Sequence, residues 1–184
     1  MVFSPNCSGT LKDPTLLVVH STISGSFKSA YDWLMSKQAR ASAHELIGRD
    51  AEWAQLVPYD KCAWHCGPSS WKGKYGINTC SIGIELVSWG PLKQNADGTF
   101  KAALAGTPVT SGEVYLGAPS GSLYEWWQGY TPVQLYKLEE RIASLFAQFP
   151  SLKEVVGHRD ISPGRKQDPW PMEPTKVFER YKRV

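Results

Sequence analysis

Leu16-Leu17-Val18-Val19-His20 and Val155-Val156-Gly157-His158 are the two stretches on which the fold turns. Each is a short apolar run that ends in histidine. The unbroken run 16–19, with no polar alternation, marks a central strand covered on both faces, as in a parallel sheet. If the two strands run parallel in one sheet, both imidazoles emerge at its carboxyl edge, where open α/β sheets place their sites.

The remaining elements are read outward from these strands. Residues 29–38 carry Ala30, Trp33, Leu34 and Lys37 at helical spacing. Residues 43–47 and 52–57 read as two strands joined by a tight turn at Arg49-Asp50-Ala51, with Ala51 where a primed turn prefers glycine. Residues 81–87 read as a further strand. Thr131-Pro132-Val133-Gln134 opens the best helix, with Thr131 as cap, Pro132 in the first turn and Gln134 completing a capping box. Its apolar residues Leu135, Leu138, Ile142, Leu145, Phe146 and Phe149 recur at three and four, and Pro150 stops it. A strand at 154–157, a long loop and a short helix from Pro174 complete the chain. Alternating strands and helices imply an α/β fold, a mixed sheet flanked by helices. Residues 90–130 are rich in Gly, Ala, Ser and Pro and read as a long loop, a lid or binding segment, with a hairpin turn at Asn95-Ala96-Asp97-Gly98.

The 184 residues fit one domain, with a core at about 15–170 and the insertion at about 90–130. A net charge of +3, concentrated nowhere but in a short cluster near Arg180, Lys182 and Arg183, is too mild to mark a nucleic-acid binder, and the longest apolar run is far too short for a membrane span. The first thirteen residues lack the basic start and apolar stretch of a secretory signal, so synthesis in the cytoplasm is expected. Cys7, Cys62, Cys66 and Cys80 form no C-x-x-C pair and read as free, mostly structural thiols. Eight tryptophans are more than a core needs, and Trp64, Trp71, Trp126 and Trp127 are candidates for stacking on sugar faces.

His20, His158 and a carboxylate from the following loop make three protein ligands, which for zinc leaves the fourth position open. Asp168 is ten residues beyond His158, and Asp160, two residues beyond it, competes for the role. Ordinary strand-end histidines are the alternative. Glu85 shares a strand face with Ser81 and Gly83, so it is either an exposed strand carboxylate or a general base beside a metal. Lys166 is either a solvated loop lysine or an oxyanion stabiliser. His65 is read equally as a substrate contact and as a hydrogen-bonded structural histidine. A second metal site on Cys62, His65 and Cys66 is disfavoured, because that short spacing leaves a fourth ligand hard to supply.

Five ordered motifs then coincide: Leu-Val-Val-His20, Ser42-Ala43-His44, Ala63-Trp64-His65-Cys66-Gly67, Ser81-Ile82-Gly83-Ile84-Glu85 and the run from Gly157 to Pro169. Together they resemble the type-2 family of zinc-dependent N-acetylmuramoyl-L-alanine amidases, relatives of peptidoglycan recognition proteins and phage T7 lysozyme. The resemblance implies that amidase fold, zinc on His20, His158 and Asp168, Glu85 as acid/base and Lys166 polarising the scissile carbonyl. It also implies a cleft segment around His65, with His44, Trp64 and Trp126 as further substrate contacts. Asp168 follows the pattern of the cytoplasmic recycling amidases, whereas T7-type members carry cysteine there. Cys66 departs from the family's usual small residue. The insertion at 90–130, absent from compact recycling amidases, and the Trp126-Trp127 pair tilt the reading towards polymeric wall. The expectation is a monomeric, bacteriolytic endolysin acting on periplasmic peptidoglycan, with a cytoplasmic muropeptide-recycling amidase or a non-catalytic wall-binding module as alternatives.

Overall fold

The computed structural model describes residues 2–109 and 114–183. A five-stranded sheet runs in the order Glu154–Gly157, Leu16–Ser21, Ser81–Leu86, Glu45–Ile47, Trp53–Gln55. The first four strands are parallel and the last pairs antiparallel, so the sheet is mixed as expected. Leu16–Ser21 is buried along its whole length, which explains its unbroken apolar reading.

The two faces of the sheet are packed differently, and that asymmetry positions the site. Leu17, Val19, Ile82, Ile84 and Leu86 face the long helix Pro132–Gln148 through Leu138, Ile142, Leu145 and Phe146. Leu16, Val18 and Val156 face the segment carrying Cys66 and Ile77. His20 has the parity of Leu16 and Val18, so it turns towards that second layer. The helix Phe27–Met35 packs Ala30 and Leu34 against Leu46, Leu56 and Val87.

Several local expectations need correction. Gln134 is fully buried and does not close a capping box; its Nε2 donates to the carbonyls of Ile47 and Val87, at 3.1 Å each, tying the helix to two strand ends. Thr131 does cap, accepting from the Gln134 N–H at 3.2 Å. Leu135 stays 38% exposed and Trp33 56% exposed, so the true apolar stripes are narrower than the spacing predicts. Ala51 adopts φ 64°, the left-handed conformation that the turn demands despite its Cβ.

The largest correction concerns the insertion. Among the described residues it is a second, antiparallel sheet in the order Pro108–Val109, Phe100–Ala102, Pro91–Gln94, Trp126–Gln128, Val114–Leu116. The expected hairpin turn at 95–98 is present, with Gly98 at φ 84°. Strands of two to four residues offer too few alternations for the sequence to reveal them. Trp127 is buried in this sheet and Trp126 packs edge-on against Phe100. The four cysteines are free, as expected. No helix among the described residues is long and apolar enough to cross a membrane.

Glu45, completely buried, ties the long helix to the sheet. It pairs with Arg141 at 2.9 Å and accepts hydrogen bonds from Tyr59 and Trp53. Arg141→Ala leaves that carboxylate buried without its cation, so a loss of about 3 kcal/mol is expected. Urea unfolding measures it; a loss under about 0.5 kcal/mol contradicts the assignment.

Candidate metal centre and active site

The parallel register places His20 directly opposite Glu85, and Val19 opposite Gly157, whose chain neighbour is His158. Both imidazoles therefore reach the carboxyl edge together. The loop after His158 curls back, held by the Arg159 N–H donating to the Asp168 carbonyl at 2.8 Å. Asp168 Oδ2 lies 3.0 Å from His158 Nδ1 and 3.6 Å from His20 Nδ1, and the two Nδ1 atoms are 2.9 Å apart. All three residues are buried. Asp160 points elsewhere, accepting from the Gly157 N–H at 2.8 Å as a local cap.

The protonation of these rings follows from their outer partners. His158 Nε2 lies 3.1 Å from the Cys66 carbonyl oxygen and 3.4 Å from Arg165 Nη2, while Nδ1 faces Asp168 at 3.0 Å; assigning the proton to Nε2, as donor to the carbonyl, leaves Nδ1 free to ligate. His20 Nε2 lies 2.9 Å from His65 Nδ1. His65 Nε2 is 3.2 Å from Ser81 Oγ, whose hydroxyl donates to the Ile77 carbonyl at 2.7 Å. That chain runs in one direction: His20 donates to His65, His65 to Ser81, and Ser81 to the backbone. Burial, reinforced by His158, lowers the His20 pKa to about 4, and burial likewise keeps His65 neutral. Both inner Nδ1 atoms are then bare lone pairs, facing each other and a carboxylate.

Three acceptors thus converge with no proton between them, an arrangement that a cation resolves. Two imidazole nitrogens and one carboxylate oxygen are the donor types of a three-ligand zinc site with an open fourth position. A second grouping, His20, His65 and Cys66, also brings donor atoms close. It is the poorer set, because His65 Nδ1 already accepts from His20 and burial pushes the Cys66 thiol up.

Glu85 and Lys166 line one cavity of about 450 Å³. The Glu85 carboxyl is raised to about 8, first by burial and then by Asp168, with Lys166 opposing; its Oε2 has no partner. His65 is buried beneath the site, and Gly83 makes room for it: a Cβ there would sit 2.5 Å from the ring. His44 is removed from substrate, since Nε2 faces the Lys61 carbonyl at 2.9 Å and Nδ1 accepts from the Gly83 N–H at 3.0 Å. Trp64 stays partly exposed, its indole donating to Ser8, and Trp126 belongs to the second sheet. Two contributors escaped sequence reading. Trp33 lines the Glu85 cavity, its indole lying beside the stripe that Ala30 and Leu34 define. The Cys66 carbonyl has no signal in sequence at all.

Two outcomes test this account. Gly83→Ala displaces His65, so metal affinity is expected to fall about 10- to 100-fold in a chelator competition, with the far-UV spectrum unchanged. His44, buried, has its pKa lowered to about 4 from 6.5. Below pH 6.5 the unfolded chain takes up a proton that the folded one refuses, so stability falls as pH drops towards 4. The loss reaches about 3 kcal/mol, and a His44→Gln variant is expected to show a shallower acid dependence in urea melts.

A family model described as N-acetylmuramoyl-L-alanine amidase, Amidase_2, matches residues 10–171. The chain is 32% identical over 184 residues to 1,6-anhydro-N-acetylmuramyl-L-alanine amidase AmpD of Escherichia coli K12, covering 90% of this chain and 81% of that one. It is 33% identical over 168 residues to the E. coli N-acetylmuramoyl-L-alanine amidase AmiD, covering 86% of this chain and 50% of AmiD. The solved structure of E. coli AmiD with anhydro-N-acetylmuramic acid-L-Ala-D-γ-Glu-L-Lys superposes with a TM-score of 0.67 at 27% identity, covering 95% of this chain and 59% of that one. The chain therefore spans about half of AmiD and four fifths of AmpD. A match reaching from before the first histidine strand to beyond Asp168 leaves no part of the central sheet outside it: the chain belongs to the Amidase_2 family of N-acetylmuramoyl-L-alanine amidases.

Proposed function

We propose that this amidase holds zinc on His20, His158 and Asp168 and cleaves the bond between the lactyl group of N-acetylmuramic acid and L-Ala in small anhydro-muropeptides. The convergence of two Nδ1 atoms, 2.9 Å apart, on one Asp168 oxygen at 3.0 and 3.6 Å is the observation that supports the zinc assignment. Zinc bound there supplies Lewis-acid polarisation of a carbonyl and a water acidified towards neutrality. Glu85, half-buried in the same cavity, accepts a proton from the attacking water and returns it to the departing L-Ala nitrogen. Lys166 places its ammonium where the carbonyl oxygen gains negative charge. His65 and the Cys66 carbonyl hold the two imidazoles in the tautomer the ligand role requires.

The recycling role replaces the endolysin expectation. The insertion that favoured polymeric wall is a compact sheet, and Trp127 of the aromatic pair is buried in it. The relatives at about a third identity are AmpD, whose name specifies a 1,6-anhydro sugar, and AmiD. A complete donor set, with Glu85 and Lys166 beside it, argues against a non-catalytic binding module.

Glu85→Gln is expected to retain one zinc per chain while turnover falls about 10²- to 10⁴-fold. Asp168→Ala is expected to lose the metal; full zinc occupancy by elemental analysis would reassign the third ligand. Anhydro-muropeptide and purified peptidoglycan compared by mass spectrometry test the substrate class. Stem peptides beginning at L-Ala, released faster from the small substrate and lost on chelation, are expected; faster release from polymer restores the lysin reading.

A further inference from the structure

Two cavities meet at Lys166. One, of about 450 Å³, is lined by the hydroxyls of Ser21, Thr22, Ser24 and Ser29, the Trp33 indole and four alkyl side chains, with no charge besides Glu85 and Lys166 themselves. The other, of about 400 Å³, lies between the loop 159–167, Trp71 and residues 119–121 of the insertion, and carries Arg159 and Gln167. The insertion is clamped there by the Trp170 indole donating to the Gly117 carbonyl at 2.9 Å and by Tyr130 donating to the Pro169 carbonyl at 3.0 Å.

Arg159 is poorly satisfied. Its guanidinium lies over the Trp170 ring at 5.0 Å, Nη2 is 4.0 Å from a Glu173 oxygen, and Nη1 is buried with no hydrogen-bond partner. Lys176 holds the other oxygen of Glu173 at 2.5 Å. The carboxylate on this cavity, Asp160, accepts from the Gly157 N–H. Stacking on an indole fixes the plane of a guanidinium while leaving its donors available for two-pronged recognition of a carboxylate.

The substrate has the matching asymmetry. On one side of the scissile amide is an uncharged sugar; on the other, a γ-linked D-Glu following L-Ala leaves its α-carboxylate free. Resting on the function proposed above, we infer that the hydroxyl-lined cavity takes the sugar, and that Arg159 is a specificity-determining residue that binds the α-carboxylate of the second stem residue in the other.

The test is a pair of anhydro-muropeptides differing only at that group, a free α-carboxylate in one and its primary amide in the other. The zinc-loaded wild type is expected to favour the carboxylate by at least tenfold in kcat/KM, mainly through KM. Arg159→Gln is expected to bring the ratio to within about twofold of one, and Arg159→Lys, which keeps the charge but not the planar fork, to restore only part of it. Equal wild-type rates on the two compounds overturn the inference without any variant, as does an Arg159→Gln ratio equal to that of the wild type. Release of stem peptides from either compound keeps the amidase reading whatever the ratio; no cleavage of either at full zinc occupancy overturns that reading instead.

Discussion

Two backbone carbonyls, those of Cys66 and Ile77, decide the chemistry of this site. Neither touches the metal position. Each accepts a proton at the end of a hydrogen-bond path, directly from His158 or through Ser81 and His65 from His20. Because a carbonyl cannot donate, both paths have one direction, and both inner ring nitrogens are left as lone pairs. Burying neutral imidazoles beside a carboxylate is costly unless something positive completes the cluster. The orientation of both rings is set by main-chain atoms that substitution cannot alter directly.

Everything else in the core serves that alignment. The parallel register sets His20, Glu85 and the start of the His158 turn along one edge. The helix Pro132–Gln148 fills the opposite face, leaving the histidine face to the layer that contains Cys66, Ile77 and His65. Gly83 is required because the His65 ring occupies the space of its absent side chain. One strand therefore supplies three separate services at alternate positions: Ser81 ends the proton path, Gly83 admits the ring, and Glu85 enters the cavity. The second sheet adds no ligand but walls one side of the cleft, where it meets the loop carrying Arg159 and Lys166.

Legibility from sequence followed the length and regularity of each signal. The histidine strands and the long helix were readable because four-residue apolar runs and a three–four repeat have few alternative explanations. The apolar stripes of both helices are nonetheless narrower than the spacing implies: Leu135 sits at the edge of the long helix's buried face, and Trp33, on the helix Phe27–Met35, lines the cleft instead of the core. The insertion is unreadable as a sheet because strands of two to four residues complete at most two alternations, too few to stand out from a loop. Gln134 has the position of a local cap in sequence, but its partners lie 87 and 47 residues away.

By itself, the sequence determined which residue types are present, in which order and on which strand faces: two strand-end histidines, an acid two positions from a glycine, and a lysine two residues before an aspartate. Those depend on local periodicity, which the chain carries in its covalent order. Only the tertiary structure decided which nitrogen of each histidine is free, that Asp168 rather than Asp160 turns inward, and that His44 is structural while His65 is a relay. Those depend on partners dozens of residues distant, and on backbone carbonyls whose positions no side-chain pattern records.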